Sequence, residues 1–183
     1  MKQLSLRQLT QMAMLAAISI TLVFFIRFPI MPAAPFLEYT PAEVTQILAT
    51  FLYGPAAALI LTVVVAIIQG MTVSAHSGII GVVMNILSTG SFVLVMGFIY
   101  RRGCSGKRLI VAMVAGIVAT CVAMALWNII VTPIFMGVPR EVVVSMILPV
   151  FVPFNLIRAG VNSLLAYMAW RALGSVLERV SER

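Results

Sequence analysis

Three stretches of this sequence, 8–26, 78–100 and 109–131, pass without a single charged side chain. At about 1.5 Å per helical residue, each comes close to crossing the roughly 30 Å apolar layer of a bilayer. Within such a layer the backbone must satisfy its own hydrogen bonds, which favours helices. Composition agrees: of 183 residues 62% are hydrophobic and only 9% charged, outside the range of an ordinary soluble domain. The sequence therefore predicts an all-α, polytopic membrane protein. Residues 1–183 are too few for more than one bundle, so a single transmembrane domain of six helices is expected, at about 8–26, 41–53, 55–70, 78–100, 109–131 and 153–175.

The net charge of +7 suggests a nucleic-acid partner only until the basic residues are located. They cluster at the ends of the apolar segments, where membrane topology uses them. With both termini cytoplasmic, the inner side carries Lys2, Arg7, Arg101, Arg102, Lys107, Arg108, Arg171, Arg179 and Arg183, against Arg27 and Arg140 outside. That bias fixes the expected orientation of a multi-pass cell-membrane protein, and no nucleic acid is expected. The first apolar segment shows no small-residue cleavage site and is followed by further spans, so it is expected to stay in place. Cys104 lies in a basic loop and Cys121 in mid-helix, which points to neither a disulfide nor a metal site. All five acids are Glu, which removes signatures built on Asp, and no Walker A sequence occurs.

Along the chain, Ala13 and Ala17 give the first helix a small-xxx-small spacing that permits close approach of another helix, although ordinary packing explains it too. Pro29, Pro32 and Pro35 make the next stretch an ordered loop rather than a helix. Thr40-Pro41-Ala42-Glu43 reads as a capping box with Pro at the first helical position. Tyr53-Gly54-Pro55 ends that short helix and starts the next. His76, the only histidine, falls in a polar turn, where a solvated role is the ordinary one. Thr132-Pro133 is expected to stop the fifth helix, and a linker with Gly137, Pro139, Arg140 and Pro149 leads to the sixth, opened by Pro153. The tail after it, with Arg171, Arg179 and Arg183, reads as amphipathic and interfacial.

Asn155, Arg158 and Asn162 share one face of the sixth helix. An arginine in an apolar helix faces the bundle interior or snorkels to the interface; snorkelling does not account for the asparagines beside it. Asn85, Asn128, Asn155 and Arg158 all fall within about 10 Å of the outer ends of their helices, near Gln69, Glu43 and Gln46. Polar groups from several helices at one depth suggest an outward-opening pocket for an uncharged or weakly anionic solute, with Trp127 and Phe154 as walls. A structural network of interhelical amides is the competing reading.

Taken together, Ala13-xxx-Ala17, Tyr53-Gly54-Pro55, Met84-Asn85, Trp127-Asn128 and Pro153-Phe154-Asn155-Leu156-Ile157-Arg158-Ala159-Gly160 resemble the substrate-binding S components of energy-coupling-factor (ECF) vitamin transporters. The riboflavin-binding branch is the most similar, and the likeness covers nearly the whole chain. It implies flavin contacts at Asn128, Asn155 and, by position, Arg158. It also implies docking of a transmembrane coupling subunit at Ala13 and Ala17, two ATPase subunits, and a loop at about 29–39 covering the site. Two departures stand out: Arg158 replaces the family's Lys, and the third helix is an apolar run over 62–68 where many relatives are polar. A forked guanidinium suits a carboxylate or phosphate better than an ammonium does, which leaves an anionic vitamin open.

The expected function is therefore that of a vitamin-binding subunit with no energy source and no cofactor of its own. A self-sufficient secondary transporter would favour a membrane-embedded carboxylate, and no Glu reads as mid-helix. An intramembrane enzyme is disfavoured by the absence of Asp and of an evident base beside any Ser or Cys.

Overall fold

The computed structural model describes residues 5–32, 34–100 and 106–182, leaving aside the side chains of 76 and 173–182. Lys2, Arg101, Arg102, Cys104 and Arg183, with the side chains of His76 and Arg179, lie outside the described residues.

Helix α1 (Leu6–Phe25) starts two residues earlier than its apolar run, because Ser5 and Gln8 form a capping box. The Gln8 amide donates to Ser5 Oγ and the Ser5 amide to the Gln8 side chain, at 3.3 and 3.0 Å. Met12, Ala16, Ser19 and Val23 form its buried stripe. The proline-rich stretch that follows is an ordered loop, and its two ends pair. Strand β1 (Phe28–Pro29) runs antiparallel to β2 (Glu38–Tyr39), Phe28 opposite Tyr39 and Pro29 opposite Glu38.

Helix α2 (Glu43–Tyr53) is 11 residues, about 16 Å, and cannot cross a bilayer alone. The expected capping box at its start does not form: no side chain caps the helix, and Glu43 is committed elsewhere. Gly54, at φ 86°, takes the left-handed turn that a side chain would resist, and Pro55 opens helix α3 (Pro55–Met71). A 3-10 turn (Ala75–Ser77) leads into α4 (Gly78–Tyr100).

Helix α5 (Gly106–Met136) overruns its expected end, passing through Pro133. The real stop is Gly137, at φ 66°, where the Val138 amide closes onto the Pro133 carbonyl at 3.2 Å. A proline inside a helix forfeits one backbone bond, whereas a left-handed glycine reverses the chain. The expected linker beyond it is itself helical. Helix α6 (Arg140–Met146) passes through a π-helical turn (Ile147–Phe151), which holds Pro149, into α7 (Val152–Glu182). Pro153 therefore lies within a continuous helical path and does not open it.

Two apolar cores result. One runs through the bundle, with Met12, Ile47, Leu61, Phe92, Met96, Met113 and Ala166 drawn from six helices. The other, at the ribbon end, packs Ala34 and Leu37 of the loop against Val143, Val150, Phe151 and Phe154. The loop is thus part of the interior: Ala34 is fully buried and Tyr39 is 6% exposed. Among the described residues, four helical stretches are long and apolar enough to cross a membrane: α1, α4, α5 and the path Arg140–Ala172.

Candidate functional site

A cavity of about 180 Å³ opens beneath the loop. Phe36, Leu37, Glu38 and Thr40 of the loop line it, with Val23 of α1 and Ala66 and Gln69 of α3. Met84 and Asn85 of α4, Met124, Asn128 and Phe135 of α5, and Phe154, Asn155 and Arg158 of α7 complete most of the wall. The chain thus brings Asn85, Asn128, Asn155, Arg158 and Phe154 to one cavity. Trp127 is not on its wall; the indole is half-buried and its N–H has no partner. One residue further along α5 the helix has turned by about 100°, so Asn128 and Trp127 cannot share a face.

Each amide is held from one side. Thr132 Oγ1 donates to Asn128 Oδ1 at 2.6 Å, one turn along the same helix. Asn155 Nδ2 donates to the Phe151 carbonyl at 2.8 Å. These bonds leave the other half of each amide unpaired and buried: Asn128 Nδ2, a donor, and Asn155 Oδ1, an acceptor. Arg158 Nε is a third buried atom without a partner. Asn128 and Asn155 are 1% and 3% exposed, so water does not satisfy them from outside. Buried polar atoms are nearly always paired, and three unpaired ones around one cavity are the pattern expected of a ligand site. Because α5 continues to Met136, Asn128 sits about 12 Å from that end of the helix, deeper than the sequence implied.

Arg158 does not snorkel. Its Nη2 meets Glu43 Oε1 at 2.7 Å and donates to Asn85 Oδ1 at 3.4 Å. Asn85 in turn donates to Gln69 Oε1. Glu43, read from sequence as a local helix cap, is buried and takes Thr89 Oγ1 and Asn162 Nδ2, each at 3.0 Å. A carboxylate does therefore stand inside the bundle, at the first residue of α2 rather than in mid-helix. It reaches Thr89 about 16 Å along α4 from Gly78, so α2 begins well below the ribbon end of the bundle. Asn162 ties this cluster to the loop, accepting from the Tyr39 hydroxyl at 3.0 Å and donating to the Thr40 carbonyl at 3.1 Å. Burial, with the Glu43 carboxylate adding and Arg158 opposing, pushes Tyr39 above its ordinary pKa and keeps it a donor. Gln46 turns away, donating to Ser19 Oγ on α1 at 3.3 Å.

A second pair stands at the rim. Arg27 binds Glu38 through Nε and donates to the Val73 carbonyl through Nη1, joining the loop to the turn after α3. Its place beside the loop carried no signal in the sequence beyond a lone basic residue.

Ala13 and Ala17 lie apart from the cavity, on the exposed face of α1, while Met12 and Ala16 face inward.

A membrane-type helical bundle that holds a small, mainly apolar cavity with a few polar side chains on its wall, beneath one of its own loops, defines an intramembrane solute-binding protein. A family model described as "ECF transporter, substrate-specific component" matches residues 7–169. The chain belongs to this family of multi-pass membrane transporter subunits. It is 30% identical over 180 residues to the riboflavin transporter RibU of Staphylococcus aureus (strain TCH60), covering 95% of this chain and 94% of that one. The RibU of Streptococcus thermophilus is 25% identical over 182 residues, covering 95% and 86%. Among solved structures, the fold matches one described as "Structure and mechanism of the S component of a bacterial ECF transporter". That match has a TM-score of 0.80 at 28% identity and covers 93% of this chain and 96% of the other.

Proposed function

We propose that this chain is the riboflavin-binding subunit of an ECF importer, taking the vitamin from outside through the ribbon end. The carrying observation is the trio of unpaired buried atoms, two donors (Asn128 Nδ2 and Arg158 Nε) and one acceptor (Asn155 Oδ1). The pyrimidine edge of the flavin ring offers the complement, an N–H between two carbonyls. Phe36, Phe135, Phe154, Met84 and Met124 supply apolar walls for the rings. The charges favour a neutral vitamin over the anionic alternative. Both arginines on the cavity wall are paired, Arg27 with Glu38 and Arg158 with Glu43.

Six spans with both termini cytoplasmic are part of the same reading. The α2–α3 pair supplies two crossings, with the buried loop filling the level above α2. At the opposite end Phe51 packs against Tyr100 and Trp170, with ring centroids 5.2 and 5.1 Å apart. That aromatic layer, next to Arg171, suits an inner membrane interface. The exposed Ala13–Ala17 face suits docking of the transmembrane coupling subunit, which works with two ATPases.

The test is titration of the purified chain with riboflavin, followed by flavin fluorescence. Binding below micromolar concentration is expected. N3-methylriboflavin, which loses the edge N–H, is expected to bind about tenfold or more weakly, because it strands the Asn155 acceptor. Absence of riboflavin binding at micromolar concentrations would sink the substrate assignment.

A further inference from the structure

We propose that Asn162 is a positioning residue for ligand binding: from behind the cavity wall, its one side chain fixes both the inner end of the loop and the carboxylate that holds Arg158. The ligand's identity rests on the flavin reading above, but the placement does not. Asn162 is fully buried and lies one turn beyond Arg158 on α7. The cavity wall includes Glu38 and Thr40 of the loop but neither Tyr39 nor Asn162. Side chains alternate along an extended chain, so Tyr39, between those two, points into the bundle. There its hydroxyl donates to Asn162 Oδ1 at 3.0 Å. Asn162 Nδ2, with two N–H groups, donates to the Thr40 carbonyl at 3.1 Å and to Glu43 Oε2 at 3.0 Å. A carbonyl and a carboxylate can only accept, so the amide cannot flip without setting oxygen against oxygen.

All three partners lead to the site. Thr40 is itself on the cavity wall. Glu43 Oε1 meets Nη2 of Arg158, another wall residue, at 2.7 Å. Tyr39 belongs to the strand that carries Glu38, the partner of Arg27 at the rim. Losing Asn162 therefore frees the inner end of the loop and one side of the Arg158 anchor together, although no bond to the ligand is removed. A polar side chain buried in an apolar bundle is costly to keep, and this one repays it by holding wall residues from two elements in register.

The experiment compares the purified wild type, Tyr39→Phe, Asn162→Ala and the double variant. Two readouts are taken, riboflavin dissociation by stopped-flow fluorescence and hydrogen–deuterium exchange of the ligand-free protein. Tyr39→Phe removes one hydroxyl and is expected to speed dissociation several-fold. Asn162→Ala is expected to speed it about tenfold, the scale on which a lost buried partner registers. Because Tyr39 acts through Asn162, the double variant is expected to match Asn162→Ala and not the product of the two effects. Amides over 34–40 are expected to exchange faster in both single variants while those of α4 keep their wild-type rates. A merely structural role would instead raise exchange throughout the bundle and lower the fraction of protein that binds, the bound fraction dissociating at the wild-type rate. That result overturns the proposal, as does an Asn162→Ala protein with wild-type dissociation and loop exchange, or a double variant that shows the product. If Asn162→Ala does not fold, Tyr39→Phe decides: faster dissociation with faster loop exchange supports the proposal, and wild-type values of both overturn it. A wild type that binds no riboflavin defeats the flavin reading alone, since loop exchange in the ligand-free variants still decides this one.

Discussion

Arg158 does two things at once: its charge is compensated by Glu43 in an apolar bundle, and one N–H, at Nε, stays without a partner. A guanidinium can do both because it has several donors in a rigid fork. Removing a donor or acceptor that serves a buried ligand costs about 1–3 kcal/mol, or roughly ten- to a hundredfold in affinity. Asn128→Ala, Asn155→Ala and Arg158→Ala are each expected to weaken riboflavin binding by that much in fluorescence titrations. Arg158→Lys keeps the pair with Glu43 and a donor, and is expected to retain most of the affinity. Trp127→Phe is expected to change affinity by less than about threefold, since the indole does not line the cavity. Much of this was legible in the sequence, because Asn155 and Arg158 lie three apart on an apolar helix, where polar residues demand a reason. Glu43 was legible at their depth but its partners were not, for a physical reason: a local helix cap gave its carboxylate a sufficient partner set. The true partners, Thr89, Arg158 and Asn162, come from helices distant in sequence.

Among the elements, local signals located most helices and erred where two punctuators competed. Pro133 reads as a stop, yet the helix absorbs it and ends at Gly137; Pro149 reads as a break and is taken up by a π-helical turn. The prolines of the 26–42 loop did bar a helix there. Nothing in them showed that Ala34, Leu37 and Tyr39 would be buried, because that depends on what α6 and α7 present above the cavity. The cavity, at about 180 Å³, lies below the roughly 300–1,000 Å³ common for small-molecule sites. Admitting a tricyclic ring therefore requires the cavity to enlarge, and the loop is the part of its wall not held within a helix. Arg27 ties that loop to the turn after α3 through Glu38 and Val73. Arg27→Ala is expected to speed ligand dissociation in stopped-flow measurements by several-fold, as lost loop anchoring acts mainly on the off-rate. An unchanged off-rate would show that the tie does not gate. The small-residue spacing on α1 could be seen in sequence, but its direction could not: Ala13 and Ala17 face outward and Met12 and Ala16 take the core. Ala13→Trp or Ala17→Trp is expected to abolish uptake by the assembled transporter while riboflavin binding by the isolated chain changes little. Parallel loss of binding would mean that this face serves the bundle after all.

For the molecule as a whole, the question is where energy for uptake could enter. The sequence carries no nucleotide-binding signature. The remaining intrinsic route is ion coupling, which in a membrane bundle needs an ionisable side chain able to take up and release an ion or proton as the site changes access. Among the described residues the interior holds one candidate, Glu43, already engaged by a guanidinium, a hydroxyl and an amide. Glu38, the other acid at the cavity, is likewise paired, with Arg27 at the rim. With both carboxylates at the cavity paired, neither is left free to carry an ion with the solute. Purified and reconstituted into liposomes, it is expected to bind riboflavin and to show no accumulation above the external concentration, with or without an imposed proton or sodium gradient. Addition of the coupling subunit and both ATPases, with ATP, should restore concentrative uptake. Gradient-driven accumulation by the chain alone would require a free ionisable group in the pathway, and would overturn the reading that pairing with Arg158 and Arg27 commits both carboxylates at the cavity.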